Sequence, residues 1–183
     1  PLLEQPNKLH KALDYYYETY QNYNNEMWAE KLGLDGFNTG DDILISELTV
    51  LLQSVETDMT IFFRLLSSIN EPDISHLTYA FYSRENIPKQ EWNIWLNKWW
   101  SRVKQNPDQE KMKIANPKYV LRNWMAQLAI DAAEGDDYSV AIELYELLRN
   151  PYLEQPEYEE KWFKKRPEWA RHRVGCSMLS CSS

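Results

Sequence analysis

The feature that most constrains this chain is the stretch from Asn116 to Ala133, NPKYVLRNWMAQLAIDAA. It predicts a helix capped by Asn116, with Pro117 in the first position, where a missing N–H costs nothing. Leu121, Trp124, Met125, Leu128 and Ala132 recur at the i, i+3, i+4, i+7 spacing, which places them on one face. Arg122 lies beside that face among Ala126, Ala129 and Ala133, whose small side chains let a neighbour come close. Gly135 supplies a stop, and Asp136–Asp137 a cap for the next helix. A helix with such an apolar face has to be covered by other elements.

The rest of the chain has the same period. Leu9, Leu13, Tyr16, Tyr20, Tyr23 and Met27 alternate three and four residues apart within a helix expected from about Asn7 to Leu32. That seam is read as an amphipathic core face with its hydroxyls reaching water or a partner. Asp41 or Asp42 caps a second helix, and Thr57 or Asp58 a third that carries Phe62 and Phe63. A short helix is expected over Ile74–Tyr82. Pro88 opens another, in which Trp92, Trp95, Leu96, Trp99 and Val103 form one stripe. Asn106–Pro107–Asp108 breaks the chain, a short helix runs to about Ile114, and Tyr138–Leu148 forms the last strongly periodic segment. Beyond Asn150 the prolines Pro151, Pro156 and Pro167 punctuate a trailing segment rich in Glu, Lys and aromatics. No strand alternation of useful length occurs. The fold class expected is all-α, an irregular multi-helix bundle spanning residues 1–170, with an extended, flexible tail at 171–183.

Only five glycines in 183 residues, against eight tryptophans and twelve tyrosines, agree with helices rather than a turn-rich sheet protein. A net charge of −8 argues against nucleic acid as a partner. No apolar run approaches the roughly 20 residues that span a membrane. Pro1 rather than Met opens the chain, which predicts a fragment or processed product of something longer. The two cysteines, Cys176 and Cys181, make no secreted disulfide framework, so a reducing compartment is expected.

Chemistry is sparse. Asp41–Asp42 and Asp136–Asp137 sit where helix caps belong, and Glu159–Glu160 are adjacent only in sequence, which does not make an acid/base pair. The Asn38–Asp41 loop lacks the spacing of a calcium loop. His10, His76 and His172 have no metal-ligand neighbour at helical spacing. No catalytic, cofactor-binding or metal-binding residue is therefore assigned. Cys176 and Cys181 flank a four-residue segment near the end; by spacing alone they are two exposed thiols without a role.

The second half resembles the selenoprotein O family, known in bacteria as YdiU. The matching words are Asn116-Pro117, Val120-Leu121-Arg122-Asn123-Trp124, Ala126-Gln127 and Ala129-Ile130-Asp131-Ala132-Ala133. Further matches are Leu148-Arg149-Asn150-Pro151-Tyr152, Arg166-Pro167-Glu168-Trp169 and the terminal Ser180-Cys181-Ser182-Ser183. Upstream, Phe63-Arg64-Leu65-Leu66-Ser67 and Lys31-Leu32-Gly33 look similar too. The resemblance implies the C-terminal region of a kinase-like protein adenylyltransferase, which moves AMP from ATP to protein hydroxyls with Mg or Mn. The family's glycine-rich loop, phosphate-binding lysine and metal-binding Asn and Asp lie outside the matched words, so no nucleotide-site residue is carried over. The partners implied are the family's kinase-like core and its protein substrates.

Cys181 matches the position that is selenocysteine in some members, which implies a redox role through a reversible bridge to a cysteine of the core. Cys176 is the less regular feature of that pattern, and a Cys176–Cys181 bridge would close a very small loop. The implied location is the cytoplasm of a bacterium or the mitochondrion of a eukaryote. The alternative from another class is a stand-alone helical interaction module without activity. Under the family resemblance, Arg122 and Asn123 are expected to make structural contacts that fix the bundle.

Overall fold

In the computed structural model, which describes residues 6–176, helices follow one another in chain order. They are α1 Pro6–Lys31, α2 Asp41–Ser54, α3 Met59–Leu66, α4 Lys89–Arg102, α5 Gln109–Ala115, α6 Asn123–Ala133, α7 Ser139–Arg149 and α8 Pro156–Trp162. Two 3-10 turns, Ile74–Ala80 and Glu168–Ala170, complete the set. Among the described residues the extended pairing is a single isolated bridge, Thr57 to Phe81. The all-α expectation holds.

The tryptophan stripe of α4 forms the centre of the core. Trp92, Trp95, Leu96 and Trp99 are fully buried against Phe62, Phe81 and the leucines of α2. Each Trp removes on the order of 200 Å² from water, about 5 kcal/mol of transfer free energy at 25 cal/mol/Å². Two of the three indoles also lock neighbours in place. Trp95 Nε1 donates to the Leu44 carbonyl at 2.8 Å, and Trp99 Nε1 to the Leu32 carbonyl at 2.8 Å. The rings of Trp95 and Trp99 lie nearly parallel, at 5°. The stripe read from spacing is a packing device.

Helix α1 ends where Gly33 adopts φ +65°, a conformation that suits glycine. Leu34 N–H then returns to the Ala29 carbonyl at 2.8 Å, closing the last turn, and Leu34 is buried beneath it. Asp58 caps α3 as expected, accepting from Ile61 N–H at 3.1 Å. At α2 the residue before the helix is Gly40, and Asp41 instead turns its carboxylate to Asn38 N–H and to Arg102.

Two expectations are corrected. First, the helix expected from Asn116 starts only at Asn123. Residues 116–122 are non-helical, extended at Asn116 and Arg122 and bent at Lys118, and Leu121, placed on the core face by periodicity, is exposed. Asn116 has φ −114° and ψ 97°, the extended conformation that a cap and a residue before proline both favour. Its side chain serves tertiary structure: Nδ2 donates to the Lys31 carbonyl at 2.9 Å and to Ser67 Oγ at 3.2 Å. Lys118 and Tyr119 N–H both donate to the Pro151 carbonyl, so this non-helical segment is stitched to the loop after α7. Trp124 and Met125 are buried as expected.

Second, the seam on α1 is not core. Leu9, Leu13, Tyr16, Tyr20, Tyr23 and Met27 are between 41% and 68% exposed. Among the described residues, α1 meets the body through its C-terminal end, where Ala29 and Leu32 are buried and Trp28 lies 6.0 Å from Phe63.

The trailing segment is better built than its prolines suggest. Pro156 sits in the first turn of α8, a helix that sequence reading left out, and Trp162 packs on Trp124 with ring centres 5.8 Å apart.

Candidate functional site

Helix α6 and the segments around it carry most of the words shared with the selenoprotein O family, and three polar constructions converge there. At its N-terminus, Arg122 is extended, at φ −105° and ψ 151°. Its guanidinium reaches across to Asp58 as a two-pronged pair, with Nη2 to Oδ1 at 2.8 Å. Nη1 also donates to the Lys164 carbonyl at 2.8 Å. One side chain therefore ties the start of α3, the start of α6 and the segment after α8. The planar fork of arginine suits this bidentate task.

From its first residue onward, α6 holds the last described residues of the chain. Asn123 Nδ2 donates to the Cys176 carbonyl at 3.1 Å. Arg173 pairs with Asp131 through two bonds of 2.7 and 2.6 Å, while Gln127 donates to the same carboxylate at 2.8 Å. The hydrogen bond from Gln127 and the pair with Arg173 hold the Asp131 carboxyl below its usual range. Arg173 also lies over the Trp169 ring, 5.5 Å from its centre. Residues 173–176 thus run along α6. Cys176, expected to be an exposed tail thiol, is 7% exposed. Cys181, the other expected redox residue, lies outside the described residues.

The third construction, two buried cations facing half-exposed carboxylates, is one that sequence reading missed. Arg64, in the middle of the apolar α3, is almost wholly buried and donates to the carbonyls of Lys113, Asn116 and Tyr152, each at 3.1 Å. It also pairs with Glu154. Buried Lys118 bridges Glu154 at 2.8 Å and Glu159 at 2.7 Å. Burial would raise the Glu154 carboxyl, but hydrogen bonds from Lys118 and Arg64 outweigh it and hold the group low. Burial, helped by Glu159 and Glu154, pushes the Tyr119 phenol up to about 12. The signal was present: an arginine inside IFFRLL has to find partners if that helix is core.

Elsewhere an open groove of about 630 Å³ lies between the Asp35–Gly40 loop and α4. Its charges are mutually satisfied. Arg102 binds Asp41 through Nε at 2.8 Å and Asp35 through Nη1 at 2.7 Å. Hydrogen bonds from Arg102 and Lys104 hold the Asp35 carboxyl at about 2.

Chemically these clusters hold elements together. Each carboxylate in them faces a cation, and a guanidinium is not a proton acceptor at ordinary pH. Among the described residues, no three His, Cys, Asp or Glu side chains come close enough to hold a metal ion. No helix among them is long and apolar enough to cross a membrane.

The family described as Protein adenylyltransferase SelO matches residues 2–149. A protein nucleotidyltransferase YdiU of Flavobacterium johnsoniae is 47% identical over the whole of this chain and 37% of its own length. The YdiU of Aromatoleum aromaticum is 44% identical over the whole chain and 36% of its own length. That of Rhodopirellula baltica is 41% identical over the whole chain and 38% of its length. The chain thus spans little more than a third of the relatives it matches. It belongs to the SelO/YdiU family of protein nucleotidyltransferases.

Proposed function

We propose that this chain is the helical C-terminal part of a protein adenylyltransferase, an enzyme that transfers AMP from ATP to Ser, Thr or Tyr hydroxyls. In this reading the chain does not hold the nucleotide; it buttresses the kinase-like core and carries a redox-responsive cysteine. The observation that carries the reading is the family match over residues 2–149, in a chain spanning about 37% of its relatives. A sequence without a glycine-rich phosphate loop supports it, since ATP and Mg or Mn then belong to the longer polypeptide.

Cys181 is the redox residue of choice and Cys176 the lesser one, because burial keeps a thiol from reagents and partners. The step is the oxidation of two thiols, Cys181 and one in the core. A peroxide accepts their two electrons and two protons and leaves as water and an alcohol, or as two waters. The proposed location is the bacterial cytoplasm, where reduction is the resting state.

The test is AMP transfer from labelled ATP by the longer polypeptide and by this chain alone, each under reducing and oxidising conditions. Label should appear with the longer polypeptide only, and its rate should depend on redox state until Cys181→Ser is introduced. Transfer by this chain alone overturns the division of labour. Redox-independent transfer by the unsubstituted protein overturns the cysteine role. The exposed face of α1 favours a second reading, an interaction module without activity, which predicts no transfer by either polypeptide.

A further inference from the structure

We propose that the exposed seam of α1 is a docking face for an amphipathic helix supplied by the part of the SelO/YdiU polypeptide that this chain does not span. The inference rests on the reading that the chain works as part of that longer polypeptide, and it deepens that reading by naming the surface.

The N-terminal part of helix α1 is left uncovered by the described residues. Every side chain from Lys8 to Glu18 is exposed, and the apolar positions remain exposed to Met27. At 1.5 Å per residue, Lys8–Tyr23 is about 24 Å of helix with little cover. Such a helix is marginal in water even with good helix formers, and this one is rich in Tyr and Asn, which are weak ones. Something has to cover it for it to persist.

The sequence says what shape that cover has. Leu9, Leu13, Tyr16, Tyr20, Tyr23 and Met27 follow one another at alternating steps of four and three residues. This is the seam that packs knobs into the holes of another helix. The far side carries Lys11, Asp14, Glu18, Gln21 and Asn25, which suit water. Tyr15 and Tyr17 are exposed off this seam, but the continuous apolar stripe runs along this face. Tyrosine suits such a face, since its ring packs while its hydroxyl reaches the rim.

Two observations choose among partners. The relatives carry close to two-thirds of their length outside the match with this chain. A tethered segment acts at an effective concentration on the order of millimolar, which favours it over a free partner. A second copy is disfavoured by the flanks of the seam. His10, Tyr17 and Asn24 on one side, and Ala12, Thr19 and Glu26 on the other, give no opposite-charge pairs to specify self-association.

The experiment is hydrogen exchange of the longer polypeptide and of this chain alone, read over peptides from Leu9 to Tyr23. The amides should exchange at least about 100-fold more slowly in the longer polypeptide. Tyr16→Glu with Tyr20→Glu should abolish that protection there, while leaving the helical circular dichroism and melting temperature of this chain unchanged. Equal exchange in the two polypeptides overturns the proposal. So does protection of this chain alone that rises with concentration as a dimer forms, for then a second copy is the occupant. AMP transfer, measured on the same longer polypeptide, separates the two claims. Transfer without protection of α1 sinks the docking face alone. Protection without transfer sinks the adenylyltransferase reading and leaves the docking face standing.

Discussion

At the scale of single residues, the bundle depends on a few long side chains that each close several gaps. Arg122 is the clearest. It holds both oxygens of Asp58 and the Lys164 carbonyl, and Asp58 in turn caps α3. Truncating Arg122 leaves a buried carboxylate without its cation, a larger loss than the pair itself is worth. Arg122→Ala should therefore destabilise the chain by about 3 kcal/mol in urea unfolding. Asp58→Asn should cost less, because an amide oxygen can still accept from Ile61 N–H. Equal costs would mean that the ion pair, which both variants break, accounts for the whole loss and the Lys164 contact for none of it. The expectation that Arg122 and Asn123 make structural contacts came from the family resemblance, not from the residues' own pattern. Spacing placed Arg122 beside a helical face and could not show that its partner lies 64 residues upstream.

At the scale of elements, what could be read from the sequence follows a simple physical division. Helices that bury one face announced themselves: α2, α3, α4 and α7 lie close to where their apolar period and breaks put them. The tryptophan stripe of α4 was legible because helical geometry alone brings Trp92, Trp95 and Trp99 together. Errors arose where a segment answers to distant partners. The non-helical run 116–122 has the letters of a helix start, yet Asn116 spends its amide on Lys31 and Ser67 and Lys118 its ammonium on two glutamates. The α1 seam failed the other way: its period is right for packing, and nothing among the described residues packs on it. The non-helical run carries a prediction of its own. Asn116→Ala leaves the Lys31 carbonyl and Ser67 Oγ without that donor inside the bundle, and should cost about 1–3 kcal/mol in chemical unfolding. An element that merely continued α6 would lose only a helix cap. The two cases separate through Ser67, since Ser67→Ala in the Asn116→Ala background should add less than it does alone.

At the scale of the whole molecule, the segment 150–176 is fastened to the rest by carboxylates held below their usual range. Glu154 takes Arg64 from α3 and Lys118 from the non-helical run. Glu56 takes Arg166 and Arg171, and Asp131 takes Arg173. In Glu154 and Glu56 burial pushes the carboxyl up, and the hydrogen bonds and charges of the partners outweigh it. In Asp131 the hydrogen bonds from Gln127 and Arg173 lower it, with burial opposing them. A carboxyl lowered by folding stabilises the native chain fully above its unfolded pKa, near 4.5 for glutamate. That stabilisation fades as pH falls through the lower folded value. The melting temperature should therefore be flat near neutrality and fall steeply below about pH 4.5. Because these pairs all hold residues 150–176, hydrogen exchange at low pH should show that region opening before the tryptophan core. Glu154→Gln should lower the melting temperature at pH 7, and much less at a pH low enough to protonate the native carboxyl. A deficit of the same size at both pH values would show that Glu154 fastens the segment by shape and not by charge. The acid sensitivity would then have to come from Glu56 and Asp131, and the double variant Glu56→Gln, Asp131→Asn should flatten the profile instead.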